Sequence, residues 1–379
     1  MESAHRAAPL ELTRARIPAH RVFYPLAAAY AAFAVPASVL GMLGRVPPVT
    51  GLVSPGRHAH EMMFGFALAL VAGHQMGALT RGRLILLAAC WTLARAAFLA
   101  APTSAVSAVA NVAFALWVAI IAGWRLLPAV KKARNLALPV TIVALCASAA
   151  LAQAATHAGA FAEHIVRGIA LLFIAMLLLF MGGRIIAPAI AGQMYRQGGN
   201  LEARVQPRIE AGLIVAMSAA FFATLGGGMR AAGIALVAAG ILAAVRLARW
   251  RPWRLRGRAD LLCLCVGYAW LAAGLMALGW AFFAGEYLTA ALHIITVGAL
   301  GTLAVNVMSP SRPRHEKASS ALHGGAIVST AFVGIAAIAR VCAAFHPEHA
   351  ALLLEVAALA WSAAYLVLLG RLLAVTRSA

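Results

Sequence analysis

Histidines beside an acidic residue open one of the chain's hydrophobic segments. The stretch HAHEMMFGFALALVAGHQ places His58, His60 and Glu61 ahead of an apolar run and His74 inside it. An unpaired polar ring is costly in apolar surroundings, so such imidazoles usually serve as ligands, proton relays or hydrogen-bonded structural groups. The types and spacing of these residues predict a metal-binding or proton-handling site at the start of this segment.

A second segment of the same kind carries His293. It reads LTAALHIITVGALGTLAVNV, and Glu286 precedes the histidine by seven residues. Seven residues are two helical turns, which would place both side chains on one face about 10 Å apart along the axis. His293 lies inside an apolar run, which favours a functional role over a surface role.

The elements that must position these residues are membrane-spanning helices. Of the 379 residues, 63% are hydrophobic and only 11% are charged, with a mean hydropathy of +0.89. A helix needs about 20 apolar residues to cross a bilayer. Twelve such segments begin near Arg21, His58, Arg83, Ser104, Leu136, Glu163, Arg208, Arg230, Asp260, Glu286, Ala321 and Ala350. The sequence therefore predicts an all-α, polytopic membrane protein of about twelve helices.

The distribution of basic residues predicts the orientation of these helices. If Lys and Arg are assigned to the nearer side, the N-terminus, the loops after even-numbered spans and the C-terminus collect 25 of the 31. The other six are Arg45, Arg57, Arg95, Arg167, Arg230 and Arg340. The positive-inside rule then places both termini in the cytoplasm. The net charge of +20 is a topology signal and indicates no nucleic-acid partner.

The chain divides into a cytoplasmic segment 1–20, a single membrane domain 21–373 and a cytoplasmic tail 374–379. The first residues contain no apolar central region, so we expect the first span to act as the insertion signal. Five cysteines are scattered without CxxC or CxxCH spacing, which argues against a disulfide framework and covalent haem. Cys263 and Cys265 could hold Cu(I), although helix fillers need no ligand.

Histidines concentrate on the predicted outer face, which holds seven of the twelve. Besides His58, His60 and His293, these are His157, His164, His346 and His349. His157, His346 and His349 lie at loop edges, where we expect them to be exposed to water. His164 stands between Glu163 and Arg167, a spacing that suits an ion pair at a helix start.

His74 lies 14 residues after His60, within about 40° of the same face and about 21 Å deeper. It could be a ligand of a second site near the cytoplasm, or a buried histidine bonded to a neighbouring helix. Arg95, Arg167 and Arg340 are natural partners for a buried acid such as Glu61 or for haem propionates. Charge balance does not choose between these two roles.

Four motifs resemble the NnrS family of bacterial inner-membrane proteins. They are HAHEMMFGFALALVAG in the second span, GGRIIAPAI with Arg184 at the end of the sixth, VGYAWLAAGLMALG in the ninth and HIITVGALGTLAVNVM in the tenth. The resemblance implies twelve spans, b-type haem and copper. It also implies an association with denitrification and protection against nitric oxide and nitrosative stress. Nitric oxide or a nitrosylated small molecule is the implied partner beside the lipid bilayer, and no particular reaction is implied.

The chain departs from the family pattern at two places. After the second span the chain reads MGALTRG, which keeps only Gly82 of the family's segment. After the tenth span it reads PRHEKA, which keeps His315 at the family's 22-residue distance from His293 and loses its neighbours. Both departures concern a second, cytoplasmic-side site and leave the outer histidines intact.

Taken with the resemblance, these residues give a predicted site. Neutral imidazoles from two helices suit a b-type haem or a copper ion. We expect His60 and His293 to be the leading ligands and His58 the next, with His74, His315 and His164 as secondary candidates. Glu61 and Glu286 are expected to support the ligands or carry protons. The expected partners of haem propionates or of acids are Arg95, Arg167, Arg184 and Arg340.

Two glycines and two rival functions complete the prediction. Gly65 and Gly298 each follow a leading histidine by five residues and could leave room for a porphyrin.

The first rival function is a secondary transporter, although no duplicated halves are visible. The second is a cytochrome b-type subunit that oxidises quinol. The sequence leaves open whether the protein is an enzyme and how many copies assemble.

Overall fold

The computed structural model describes residues 16–129, 133–255, 257–309 and 316–377. These residues are almost entirely helical. The first five spans are α1 (His20–Met42), a broken second span made of α2 (Pro55–His60), a π-helix (Glu61–Ala67) and α3 (Leu68–Gln75), then α4 (Arg81–Ala100), α5 (Ala105–Leu126) and α6 (Ala133–Ala158).

The remaining seven spans follow the same pattern. The sixth is α7 (Ala160–Met181), a π-helix (Gly182–Ile186) and α8 (Ala187–Arg196), followed by α9 (Pro207–Leu225), α10 (Met229–Arg249) and α11 (Ala259–Ala284). The tenth is α12 (Leu288–His293), a π-helix (Ile294–Gly301) and α13 (Thr302–Met308), followed by α14 (Glu316–Cys342) and α15 (Ala350–Arg377). Short 3-10 turns occupy Thr50–Leu52, Leu127–Ala129, Glu202–Arg204, Pro252–Arg254 and Pro347–His349.

The predicted all-α membrane architecture is confirmed. Within the described ranges, eleven helices are long and apolar enough to cross a bilayer. The remaining span, Pro55–Gln75, carries the charged and imidazole side chains of the opening motif. Observed spans begin within five residues of the predicted starts, the largest difference being Glu316 against Ala321. Hydrophobic length therefore locates the helices well.

A small β-ribbon was not predicted. β1 (Arg16–Pro18) pairs antiparallel with β2 (Ala78–Thr80), and Ala19 N donates to Gly77 O at 2.7 Å. The ribbon ties the segment before the first span to the loop after the second. These two segments therefore lie on the same side of the protein, as the charge distribution predicts.

The first and last spans pack together. Trp361 Nε1 donates to Ala31 O at 3.1 Å, and Ser362 Oγ donates to Ala32 O at 2.8 Å. Elsewhere α10 and α11 approach so closely that a Cβ on Gly233 would lie 2.8 Å from Gly279 O. Small residues thus allow close helix packing, as is common in membrane proteins.

Candidate functional site

Three π-helical stretches interrupt the spans at the sequence motifs. The first begins at Glu61, directly after His60, and the second begins at Ile294, directly after His293. The third holds the GGR motif with Arg184. Each contributes at least one residue to the lining of one apolar cavity of about 60 Å³. π-Helices are rare in proteins, and many of those that occur lie at functional sites. Neither the motifs nor the hydropathy of the sequence predicts these three.

His58 and His293 lie near the starts of the second and tenth spans and are close enough to interact electrostatically. Each is an electrostatic neighbour of Arg340 in α14, and His58 is also a neighbour of His293. Both rings are closely surrounded by protein atoms, yet both residues keep part of their surface accessible. The structure therefore brings together two imidazoles and a guanidinium from three spans.

The hydrogen bonds of this pair leave ring nitrogens available. His293 Nδ1 lies 2.6 Å from Thr289 O, so a neutral ring donates its Nδ1 proton to that carbonyl and keeps a lone pair on Nε2. A hydrogen bond of this kind commonly orients a metal-ligating histidine. His58 Nδ1 is buried and has no hydrogen-bond partner in the described chain. A buried polar atom without a partner is unusual and calls for an explanation.

His60 has a different environment. Its Nδ1 lies 3.2 Å from Glu61 Oε1, and its Nε2 lies 2.8 Å from the Gln153 amide nitrogen. These contacts suit a neutral ring that donates from Nδ1 and accepts at Nε2. The ring also stacks on Phe98 with centroids 4.1 Å apart and planes 1° apart. Both nitrogens of His60 are therefore used by the protein itself.

Glu61 is the centre of a buried polar network. Its carboxylate accepts hydrogen bonds from Tyr30 and Arg95 as well as from His60, and it has no exposed surface. The other terminal nitrogen of Arg95 donates a hydrogen bond to Asn111 Oδ1. The Asn111 amide nitrogen in turn donates to Ser107 O at 2.9 Å. A buried ion pair is tolerated only when additional hydrogen bonds satisfy it.

The network links the first five spans. Tyr30 belongs to the first, His60 and Glu61 to the second, Arg95 to the third, Asn111 to the fourth and Gln153 to the fifth. From the sequence, Arg95 could pair either with a buried acid or with a haem propionate. In the structure it pairs with the acid Glu61. Gln153 and Asn111 were missed, because an amide in an apolar helix has no distinctive spacing.

The two glycines make room for protein side chains. A Cβ on Gly65 would lie 2.8 Å from Arg95 Nη1 and 3.0 Å from Tyr30 Cε1. A Cβ on Gly298 would lie 2.9 Å from the Trp270 ring. The observed neighbours of these glycines are therefore Arg95, Tyr30 and Trp270.

Glu286 does not share a helical face with His293. The tenth span begins only at Leu288, and Glu286 lies exposed in the preceding turn. Gly285 and Tyr287 on either side have φ angles of 72° and 58°, in the left-handed region that a helix cannot continue through. The prediction that Glu286 and His293 share one face assumed a continuous helix between them. The left-handed residues interrupt that helix.

Other predicted residues lie apart from the His58–His293 pair. His74 is exposed, with Nδ1 3.2 Å from Tyr24 Oη, and His164 is exposed on α7. Arg167 pairs with Glu163 at 2.6 Å, as the spacing suggested for an ion pair at this helix start, although Arg167 and not His164 supplies the cation. His315 lies outside the described residues.

Arg184 lies near the opposite end of the sixth span. Arg167 packs near Gly56 at the start of the second span, and 17 residues separate it from Arg184, which corresponds to about 25 Å along a helix. Arg184 instead has Glu210 as its electrostatic neighbour. It is therefore separate from the two histidines.

The donor set suits haem better than a multi-ligand metal ion. Among the described residues no group of three or more His, Cys, Asp or Glu could hold a metal. Cys263 and Cys265 are free and buried as helix fillers. Two imidazoles from different spans, by contrast, could hold a b-type haem.

The comparisons with known proteins agree with the motifs. A family model described as NnrS protein matches residues 17–378, nearly the whole chain. No curated protein and no solved structure matches the chain.

Proposed function

Because the chain belongs to the NnrS family, we propose that it is a haem protein whose iron is held by His58 and His293. Family membership by itself supports a membrane protein of the nitric oxide response in general. The finer proposal concerns the cofactor and its ligands. It places them at the starts of the second and tenth spans.

The observation that carries this proposal is the unpartnered Nδ1 of His58 beside His293 and Arg340. A metal ion bound at this Nδ1 would give the atom the partner that the described residues do not provide. His293 already has its Nδ1 oriented by Thr289 O. His60 remains an untested candidate, but ligation through its Nε2 would break the bond to Gln153.

Arg340 supplies the charge that a haem would require. No hydrogen bond or ion pair joins its guanidinium to the described residues, and the two neighbouring imidazoles provide no negative charge. A guanidinium binds a carboxylate with two parallel hydrogen bonds, so a haem propionate fits it. Arg167 is committed to Glu163 and Arg95 to Glu61, which leaves Arg340 as the leading partner.

The bound group would supply redox chemistry and an affinity for nitric oxide. The protein's own residues orient the imidazoles, balance charge through Arg340 and hold the second span in place through the Glu61 network. Copper remains part of the proposal through the family alone. No ligands are proposed for copper, and no reaction is assigned.

We further propose that the protein resides in the bacterial inner membrane and acts on nitric oxide or a nitrosylated small molecule. The described spans establish a multi-pass membrane protein. The compartment and the small molecule come from the family. The same helices would also suit a transporter or a quinol-oxidising subunit. Haem content is therefore measured first, because a pure transporter would contain no haem.

The proposal is tested by measuring haem in the purified protein by absorption and pyridine haemochrome, with copper by elemental analysis. We expect about one haem per chain in the parent protein. His58→Ala and His293→Ala should each lose most of it while still inserting and accumulating. His60→Gln, which can retain hydrogen bonds, should keep it.

His349→Ala is the matched control, because His349 is exposed at the edge of α15. It should change neither haem content nor yield. Absence of haem from the parent protein would favour the transporter. Full haem content in both His58→Ala and His293→Ala would show that the site is elsewhere, and loss in His60→Gln alone would restore His60 as the ligand.

The biological part of the proposal has its own test. A strain lacking the protein should tolerate a nitric oxide donor less well than its parent and otherwise grow normally. The parent gene should restore tolerance, and the His293→Ala gene should not. A defect confined to uptake of one solute would contradict the role proposed here.

A further inference from the structure

A polar cavity lies at the other end of the molecule from His58 and His293. Its volume is about 190 Å³, and it opens between the fifth, sixth, seventh and eighth spans. Its polar lining consists of Asn135, Arg184, Glu210 and Arg246, and apolar side chains such as Leu213 form the rest. The cavity is therefore amphipathic, with two guanidinium groups and one carboxylate.

The charges in this cavity do not cancel. Arg246 Nη2 donates to Glu210 Oε1 at 2.7 Å, and Arg246 Nη1 donates to Leu179 O at 3.0 Å. This pair is neutral as a whole. Arg184 is exposed and makes no hydrogen bond or ion pair with any described residue. The cavity thus carries one guanidinium without a bonded counter-ion.

Glycines of the third π-helix bring the buried arginine into this position. A Cβ on Gly183 would lie 2.3 Å from Arg246 Nη2, and one on Gly182 would lie 2.2 Å from the Tyr268 ring. Arg246 also lies over the Trp250 ring, 5.4 Å from its centroid, and its Nε has no partner among the described residues. Only 3% of Arg246 is accessible, so its position is fixed by packing.

We propose that this cavity binds an oxyanion of the phosphate class, with Arg184 as its main contact. A planar guanidinium offers two N–H groups to one oxyanion. The two guanidinium groups of this cavity outnumber its one carboxylate, Glu210, which lies near Arg184 and is bonded to Arg246, so the net positive charge favours such a partner. The phosphate could be free in solution or belong to an anionic lipid headgroup, whose chain would suit the apolar wall. The site is on the side predicted to be cytoplasmic and is independent of the proposed haem.

The test measures thermal stability of the purified full-length protein. A ligand that binds only the folded state raises Tm in a saturable manner. Inorganic phosphate is titrated against chloride of equal ionic strength in detergent, and nanodiscs of phosphatidylglycerol are compared with nanodiscs of phosphatidylcholine. Arg184→Gln removes the cation and Arg184→Lys retains it. Arg196→Gln is the control, because Arg196 is exposed nearby on the same span and does not line the cavity.

We expect a saturable rise in Tm for the parent protein and for Arg196→Gln. In Arg184→Gln the midpoint concentration should rise at least about tenfold, since a hydrogen bond to a charged group is lost, and Arg184→Lys should fall between them. A response to phosphate identifies a soluble anion, and a response to phosphatidylglycerol alone identifies a headgroup. No response in either medium, or an unchanged response in Arg184→Gln, would overturn the proposal. Haem content should not change in any of these variants, so failure here is distinct from failure at His58.

Discussion

At the scale of single residues, neighbouring histidines of one motif have different surroundings. His60 and His58 are two positions apart, yet His60 is bonded on both nitrogens while His58 Nδ1 has no partner in the described chain. The difference arises from side chains far away in sequence, since Gln153 is 93 residues from His60. Ligand choice therefore depends on what the neighbouring spans leave unbonded.

The Glu61–Arg95 pair should behave as one unit. Glu61→Gln leaves the Arg95 charge buried, and Arg95→Met leaves the Glu61 charge buried, so each should cost about 3–5 kcal/mol. The double variant Glu61→Gln with Arg95→Met should recover much of that loss, because no uncompensated charge remains. Thermal unfolding of the purified proteins measures the effect.

Haem per folded molecule distinguishes this structural role from metal ligation. It should remain at the parent level in all three variants that stay folded. Loss of haem from Glu61→Gln at normal stability would make Glu61 part of the metal centre. Equal and additive losses of stability would show that the two charges do not depend on each other.

Residue types could be predicted from sequence, but their pairings could not. The HxHE group and His293 stood out because polar residues are rare in these helices, and their positions at two span starts could be inferred. Glu286 was misplaced because a left-handed turn at Gly285 and Tyr287 gives no hydropathy signal. Asn111 and Gln153 went unnoticed because an amide shows its role only through its partner.

At the scale of elements, the three π-helices lie within the sequence motifs that carry the candidate site residues. Each is one stretch of wider turns inside an apolar helix. Two begin directly after His60 and His293, and the third contains Arg184. Hydropathy locates the twelve spans because it averages over about 20 residues. The same averaging hides a local change of helical period and a three-residue strand such as β1.

Gly298 tests the importance of the π-helix in the tenth span. In Gly298→Ala the new methyl group would meet the Trp270 ring at 2.9 Å, so either Trp270 or the span must move. Because His293 immediately precedes this π-helix, we expect lower Tm and reduced haem retention. Overpacking of this kind typically costs about 1–3 kcal/mol.

Gly334→Ala in α14 is the matched control. Nothing lies within 4 Å of a Cβ there, and alanine favours a helix over glycine by about 1 kcal/mol in general. This variant should keep its haem and be at least as stable as the parent. Equal behaviour of the two variants would mean that Trp270 adjusts freely and that the π-helix tolerates a side chain.

At the scale of the whole molecule, polar groups collect at both ends of an apolar bundle. His58, His293 and Arg340 lie at one end, and Arg184, Glu210 and Arg246 lie at the other. The β-ribbon holds the segment before the first span beside the loop after the second, so these two segments share one side. Which end faces the cytoplasm remains a prediction from the distribution of basic residues.

Cysteine accessibility in intact cells decides this orientation. Arg254 is exposed in the loop between α10 and α11, and Arg45 is exposed in the loop after α1, where it pairs with Glu355 at 2.6 Å. Single cysteines at these positions are introduced after the five free cysteines have been replaced. A surface ion pair contributes at most about 1 kcal/mol, so Arg45→Cys should fold normally.

An impermeant thiol reagent should label Arg45→Cys and spare Arg254→Cys, and permeabilised cells should show both labelled. The reason is the positive-inside rule, which keeps the loops rich in Lys and Arg on the cytoplasmic side. The cysteine-free protein controls for background labelling. The opposite pattern would place His58 and His293 at the cytoplasmic surface and the Arg184 cavity outside. Small molecules would then reach the proposed haem from within the cell, and the phosphate ligand would have to come from the outer leaflet or the space beyond it.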